Sequence, residues 1–242
     1  MNTTANLNLP LSWRLSGSAL KVIAVLSMII DHLAFFMLTP DNPLYAPMRC
    51  IGRIAFPVFA CLVAEGFAYS RNRWKYFWML MGFGILAELP WILLNGNDGS
   101  HNVMFTLALG VTALAAFDRL CEHGPLAFAS VVLVAFLAWW IGVDYDWRGI
   151  LMIFIFYLLR QNTINPFLEK RNINFPSQNI LQLAFVFPLM AHYGLSGAIL
   201  ASLVIFLYDG NRGFIRGNIA KYGFYAVYPV HLMIIWALMK TL

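Results

Sequence analysis

The stretch "LKVIAVLSMIIDH", residues 20–32, ends in a carboxylate and an imidazole, and the apolar run around them continues to Leu38. A charge at the centre of a bilayer costs about 2.5–3.5 kcal/mol on insertion scales, so ionisable groups in such runs face a protein interior and serve function. An imidazole is the side chain best matched to taking and returning a proton near neutral pH. Lys21 and His32 are eleven positions apart. At about 100° per residue they return to within roughly 20° of one helix face, with ~16 Å between them along the axis. Asp31 lies about 100° around the helix from His32. It is better placed to orient another group or to pair with a neighbouring helix than to bond His32 directly.

Other ionisable residues fall at overlapping depth. Glu65 sits in the inner half of a second apolar run, and Glu88, in "AELPW", in the outer half of a third. His231, in "YAVYPVH", lies about 14 Å into the last run, close to the depth of His32. Arg53 and Arg148 open their runs from the same side as Asp31, His32 and Glu88. Two histidines, several acids and two arginines at one level predict a polar chamber inside a helical bundle.

The elements that must position them follow from composition. The chain has 242 residues, 61% hydrophobic and only 11% charged, with a mean hydropathy of +0.71. A soluble domain carries about a quarter charged residues. Repeated apolar runs between short polar loops predict an all-α, polytopic membrane bundle, whereas a β-barrel would alternate apolar and polar residues. About nine spans are expected, roughly 19–38, 51–69, 74–94, 103–118, 125–142, 148–160, 179–193, 195–208 and 222–240. The whole chain, 1–242, reads as one membrane domain, with residues 1–18 a polar segment ahead of a retained first helix and no signal-peptide cleavage pattern.

Basic residues orient the bundle. With a cytoplasmic N-terminus the inner side collects Arg14, Lys21, Arg71, Arg73, Lys75, Arg119, Arg160, Lys170, Arg171, Arg212, Arg216 and Lys221, and the outer side keeps Arg49, Arg53, Arg148 and Lys240. That bias satisfies the positive-inside rule for an odd number of spans. It also accounts for most of the +5 net charge, which gives no reason to expect nucleic acid. The three cysteines show neither disulfide nor metal-ligand spacing: Cys50 falls outside, Cys61 within a span and Cys121 inside.

The Lys21-x10-His32 spacing resembles the basic-x10-His signature of acyltransferase-3-type membrane acyltransferases. The chain is more closely similar to the TraX family. Its "LK-IA---M--DH" block is followed by Gly52-Arg53-Ile54-Ala55-Phe56-Pro57-Val58-Phe59, "SRNRWKY" (70–76), "NVMFTLALG" (102–110) and "FYAVYPVH" (224–231), in family order. "DYDWRG" (144–149) departs from the smaller turn expected there and leaves Arg148 without an assigned role.

The resemblance implies acyl transfer, the family being associated with acetylation of the N-terminus of conjugative pilin. On that expectation acetyl-CoA donates from the cytoplasm, its phosphates meeting Lys21, Arg71, Arg73, Lys75, Arg212, Arg216 and Lys221. His32 is the general base, Asp31 or Glu88 sets its tautomer, and His231 or Arg53 stabilises the oxyanion. The acceptor is a pilin-like small membrane protein or an envelope glycan or lipid, reached at the outer face of a bacterial inner membrane. No metal is expected. A small transporter using a proton relay, and a non-enzymatic accessory of pilus or envelope assembly, are the competing readings.

Overall fold

The computed structural model describes residues 14–159, 178–215 and 217–241. Arg160, Lys170, Arg171 and Arg216, four of the cations expected on the inner side, therefore lie outside the described residues, as does most of the polar N-terminal segment. The described chain is helical, with no strand among the described residues. Its helices are α1 (Gly17–Met37), α2 (Tyr45–Gly52), α3 (Ala55–Tyr69), α4 (Arg73–Asn95), α5 (Val103–Leu120), α6 (Pro125–Ile141), α7 (Asp146–Leu158), α8 (Gln178–Ala191), α9 (Leu195–Phe206) and α10 (Asn218–Thr241).

Local chemistry sets the boundaries. Ser16, Asn72 and Asn102 cap α1, α4 and α5, each side-chain oxygen accepting from a first-turn amide that the helix leaves unpaired. Pro125 opens α6, and Gly142, in the left-handed region at φ 80°, closes it. Ser27 and Thr112 return their hydroxyls to carbonyls of the preceding turn, so neither is an unsatisfied polar group within its apolar helix.

Five helical stretches are long and apolar enough to cross a membrane: Gly17–Met37, Tyr45–Tyr69, Arg73–Asn95, Val103–His123 and Ile219–Thr241. The apolar helices Pro125–Ile141, Ile180–Ala191 and Leu195–Phe206 are shorter. Large apolar side chains stand on the outer surface, among them Leu86 (64% exposed), Phe185 and Trp140 (72%). A monomer in water avoids so wide an apolar surface, whereas a bilayer solvates it. The chain is a membrane protein.

The interior is packed from Leu20, Phe56, Phe67, Leu80, Ile150, Ile153, Phe156 and Leu232, with glycines where helices meet closely. A β-carbon on Gly110 would come within 2.4 Å of Ile153, and one on Gly197 within 2.3 Å of the Arg53 β-carbon. Without a hydrophobic drive between helices in lipid, such close backbone approach supplies much of the packing energy.

Two poles result. At the proximal pole, the segment after α9 folds over the start of α1. Leu15 and Gly17 bond the backbone of Leu207 and Asn211, and the Ser18 hydroxyl donates to the Arg212 carbonyl at 2.9 Å while accepting from the Ile215 amide at 2.7 Å. At the distal pole, the His101 amide donates to the Gly142 carbonyl and the Asp144 amide to the His101 carbonyl, which ties the 96–102 turn to the 142–145 turn.

The second run differs from the expected 51–69 span. It begins at Tyr45 and breaks into α2 and α3 at Arg53–Ile54. The break falls where Gly52 presses on Asp31 and Gly197 presses on Arg53, contacts that no sequence periodicity records.

Candidate functional site

A cavity of about 140 Å³ lies at the distal half of the bundle, where α1, α2, α3 and the 142–145 turn converge. Its polar lining is Asp31, His32, Arg49, Arg53, Asp144 and Tyr145, and its apolar lining includes Phe35, Phe56, Phe59 and Trp91.

His32 projects into it from α1. The Nδ1 of His32 lies 2.6 Å from Nε2 of His231 on α10, and the two rings are coplanar within 4° with centroids 4.9 Å apart. The Nδ1 of His231 lies 2.8 Å from the Val227 carbonyl, one turn back on the same helix. Pro229, which lacks an amide hydrogen, interrupts the α10 ladder two residues before this histidine. Phe36 and Tyr228 pack at ring-contact distance around His32.

Asp31 faces α2, as its angular offset from His32 requires. Its Oδ2 accepts from the Arg49 guanidinium at 2.5 Å, while Oδ1 is buried without a hydrogen-bond partner among the described residues. Gly52 permits that position, since a β-carbon there would lie 2.1 Å from Oδ1. The Arg49 guanidinium also stacks over Phe35, 4.8 Å from the ring centre. Arg53, one turn further along, sits beside the Tyr145 hydroxyl, with Asp31 and Asp144 in its field.

The opposite wall is a strained turn. Tyr145 and Asp146 hold φ of 63° and 41°, a region non-glycine residues enter at a cost and keep only where surroundings enforce it. The enforcement is visible. The Thr106 hydroxyl donates to the Asp144 carbonyl, the Tyr193 hydroxyl donates to the Tyr145 carbonyl at 3.3 Å, and the Tyr145 ring lies flat on Phe56 with centroids 3.7 Å apart. The turn thereby holds the Asp144 carboxylate in the cavity wall. Burial pushes that carboxyl up to about 6, against the bond it accepts from the Tyr145 amide and the field of Arg53. Burial likewise pushes the Tyr145 hydroxyl above its ordinary range.

Glu88 does not reach His32. Its Oε1 meets His101 at 2.5 Å and its Oε2 accepts from the Asn102 side-chain amide at 2.6 Å, so it locks the 96–102 turn onto α4. Neither Asp31 nor Glu88 bonds the His32 ring; its partner is His231. Arg148 is held by Asp146 at 2.6 Å and by the Trp147 ring.

The remaining cations gather at the proximal pole. Lys21 lies in the field of Arg212 and Lys221, and Lys221 in that of Lys75 and Arg212. Lys21 also stands over Phe224, 5.8 Å from the ring centre. Arg73 is neutralised by Asp118 at 2.7 Å and stacks on Phe67, while Arg71 points outward. Arg216 lies outside the described residues.

Sequence reasoning missed three lining residues. Arg49 read only as an outer-side charge, although an intramembrane Asp31 demands a cation on a neighbouring helix and Arg49 and Arg53 share a face at four-residue spacing. Asp144 and Tyr145 read as outer loop, and nothing in the sequence marks a left-handed tyrosine.

Comparison with known proteins agrees with this picture in extent. The family described as "TraX protein" matches residues 16–239. A Dichelobacter nodosus protein described as "Probable fimbrial assembly protein FimC, serogroup H1" is 30% identical over 239 aligned residues, covering 91% of this chain and 94% of the relative. A Rickettsia prowazekii (strain Madrid E) protein described as uncharacterized is 25% identical over 149 residues, 60% of this chain and 56% of its own. No solved structure matches. The chain belongs to the TraX family.

Proposed function

We propose that this TraX-family protein is an integral-membrane acyltransferase that moves an acetyl group from cytoplasmic acetyl-CoA to an amine or hydroxyl acceptor at the outer face of a bacterial inner membrane. The proximal pole is cytoplasmic in this reading and the chain crosses nine times, the shorter helices packing within the bundle. The observation that carries the proposal is the imidazole of His32, which lines a polar cavity on the same helix that presents Lys21 to the cations Arg212 and Lys221.

The division of labour is chemical. The CoA phosphates are multiply charged and suit Lys21, Arg212, Lys221, Lys75 and Arg71, with Arg216 a further candidate. Arg73 contributes less, being already paired with Asp118. The pantetheine arm carries the thioester along the face shared by Lys21 and His32. His32 removes a proton from the acceptor as its nitrogen or oxygen attacks the thioester carbonyl. The C–S bond then breaks and the leaving thiolate takes that proton from His32. Arg53 or Arg49 stabilises the oxyanion, and the acceptor attacks as a neutral amine or hydroxyl. The fimbrial assembly role in the name of the Dichelobacter relative supports an acceptor of the pilin type, and an envelope glycan or lipid meets the same chemistry. That description also favours a second reading, a non-enzymatic accessory of pilus assembly.

Purified protein in nanodiscs, given radiolabelled acetyl-CoA and candidate acceptors, tests the proposal. Release of CoA or transfer of label by the wild type, lost in His32→Ala, is the expected result. Equal turnover in both proteins, or none in well-folded wild type across acyl-CoA lengths and acceptors, would leave the accessory reading in its place.

A further inference from the structure

We infer that His231 is a positioning residue that fixes the tautomer of His32 and shares the charge formed there, through a relay running from the Val227 carbonyl to His231 to His32. The rate arm of this inference rests on the acyltransferase reading; the assignment of ring protons does not.

The relay follows from what each atom is able to do. A carbonyl oxygen only accepts, so the 2.8 Å contact between Val227 and His231 requires a hydrogen on Nδ1 of His231. In a neutral ring the other nitrogen then carries a lone pair. The 2.6 Å contact between Nε2 of His231 and Nδ1 of His32 therefore requires a hydrogen on Nδ1 of His32. That leaves the lone pair of His32 on Nε2, for which no hydrogen-bond partner is present among the described residues, on a ring that lines the cavity. His32 shares its cavity with two guanidinium groups, and this favours the neutral arrangement because a third cation there would be repelled.

The geometry makes the relay more than a packing contact. Rings coplanar within 4° direct the Nδ1 hydrogen of His32 at the Nε2 lone pair of His231. When Nε2 of His32 takes the acceptor's proton, its Nδ1 hydrogen shifts towards Nε2 of His231. The positive charge then spreads over two rings, and Val227 steadies the far end. When the thiolate recovers a proton from Nε2 of His32, the hydrogen shifts back and both rings are neutral. An aspartate performs the orienting half of this task in a serine hydrolase triad. Here a second imidazole fits better, since α1 already presents Asp31, and Asp31 is committed to Arg49.

The test is nitrogen NMR on histidine-15N-labelled protein in nanodiscs, with peaks assigned by single-histidine substitutions, beside acetyl-transfer kinetics on the same samples. Wild type is expected to show His32 protonated on Nδ1 and bare on Nε2. His231→Phe keeps the ring volume and removes the acceptor, so the His32 proton redistributes to Nε2 and kcat falls on the order of 100-fold with KM for acetyl-CoA unchanged. His231→Gln returns an acceptor oxygen that cannot take a proton, so the His32 tautomer is restored while kcat recovers to within about tenfold of wild type. A wild-type His32 protonated on Nε2, or an unchanged tautomer in His231→Phe, overturns the relay whatever the activity. Unchanged kcat in an active His231→Phe protein overturns it as well. Absence of transfer in wild type whose His32 shows the expected tautomer overturns the acyltransferase reading and leaves the hydrogen-bond assignment standing.

Discussion

The two poles of this bundle hold charge in opposite ways. At the distal cavity each charged group faces its complement: Asp31 meets Arg49, and Asp144 lies in the field of Arg53 beside Tyr145. At the proximal pole Lys21, Lys75, Arg212 and Lys221 stand in one another's field, while the nearby Asp118 is already occupied by Arg73 and Tyr157. Compensated charge in a partly enclosed cavity is costly to rearrange and suits fixed geometry, which chemistry requires. Like charges gathered at one pole repel one another until an anion arrives, which suits docking. Under the proposed acyl transfer, the acyl step falls to the distal pole and phosphate recognition to the proximal one.

Substitutions that separate the poles sharpen this contrast. Asp31→Ala leaves the Arg49 guanidinium partly buried without its partner, and is expected to destabilise by about 3 kcal/mol in thermal or denaturant unfolding. The apolar pair Asp31→Leu with Arg49→Met recovers most of that loss, since removing both charges removes the unpaired one. A double variant no more stable than Asp31→Ala would mean the pair holds something else in place.

Asp144 gives a pH signature at the distal pole alone. Its folded carboxyl titrates near about 6 against 3.8 for the free side chain, so the stability it contributes is whole below about pH 4 and is lost as pH rises through 6. The loss amounts to at most about 3 kcal/mol, and Asp144→Asn is expected to flatten it. Parallel stability–pH curves for the two proteins would place the titration elsewhere.

The proximal cations carry a smaller and differently shaped effect. Lys21→Ala with Lys221→Ala is expected to weaken acetyl-CoA binding roughly tenfold, or about 1.4 kcal/mol, and to flatten its salt dependence, with folding unchanged. Binding that stays as salt-sensitive as in wild type would move phosphate recognition to other residues. Smallest of all is Arg73→Ala, whose exposed pair with Asp118 is worth about 0–1 kcal/mol. A large loss of acetyl-CoA affinity there would contradict its assignment to structure.

The class of the fold was legible because lipid imposes it. Long apolar runs between short polar loops left few alternatives to helices, and five of the helices among the described residues are long and apolar enough to cross a membrane. The chamber was legible in part. Asp31, His32 and Arg53 announce themselves as ionisable groups within apolar runs, whereas Arg49 and Asp144 lie near run ends where charge is ordinary. Periodicity places Asp31 on a different face from His32 but does not say which helix meets it. Glu88 illustrates the limit: depth and type recommended it as the partner of His32, and Asn102, a helix cap eighteen residues from Gly84, claims it instead. The meeting of His32 with His231 spans 199 positions, a separation over which one sequence holds no register.

The central claim is that chemistry and docking sit at opposite ends of α1, and α1 itself offers the direct comparison. His32→Ala and Lys21→Ala are measured side by side in nanodiscs for acetyl-CoA affinity and for single-turnover transfer from saturated complex. The account predicts that His32→Ala binds like wild type and loses transfer by about 100-fold or more, while Lys21→Ala binds several-fold more weakly and transfers normally once saturated. If instead His32→Ala loses binding and keeps its single-turnover rate, the assignment of the two poles is contradicted.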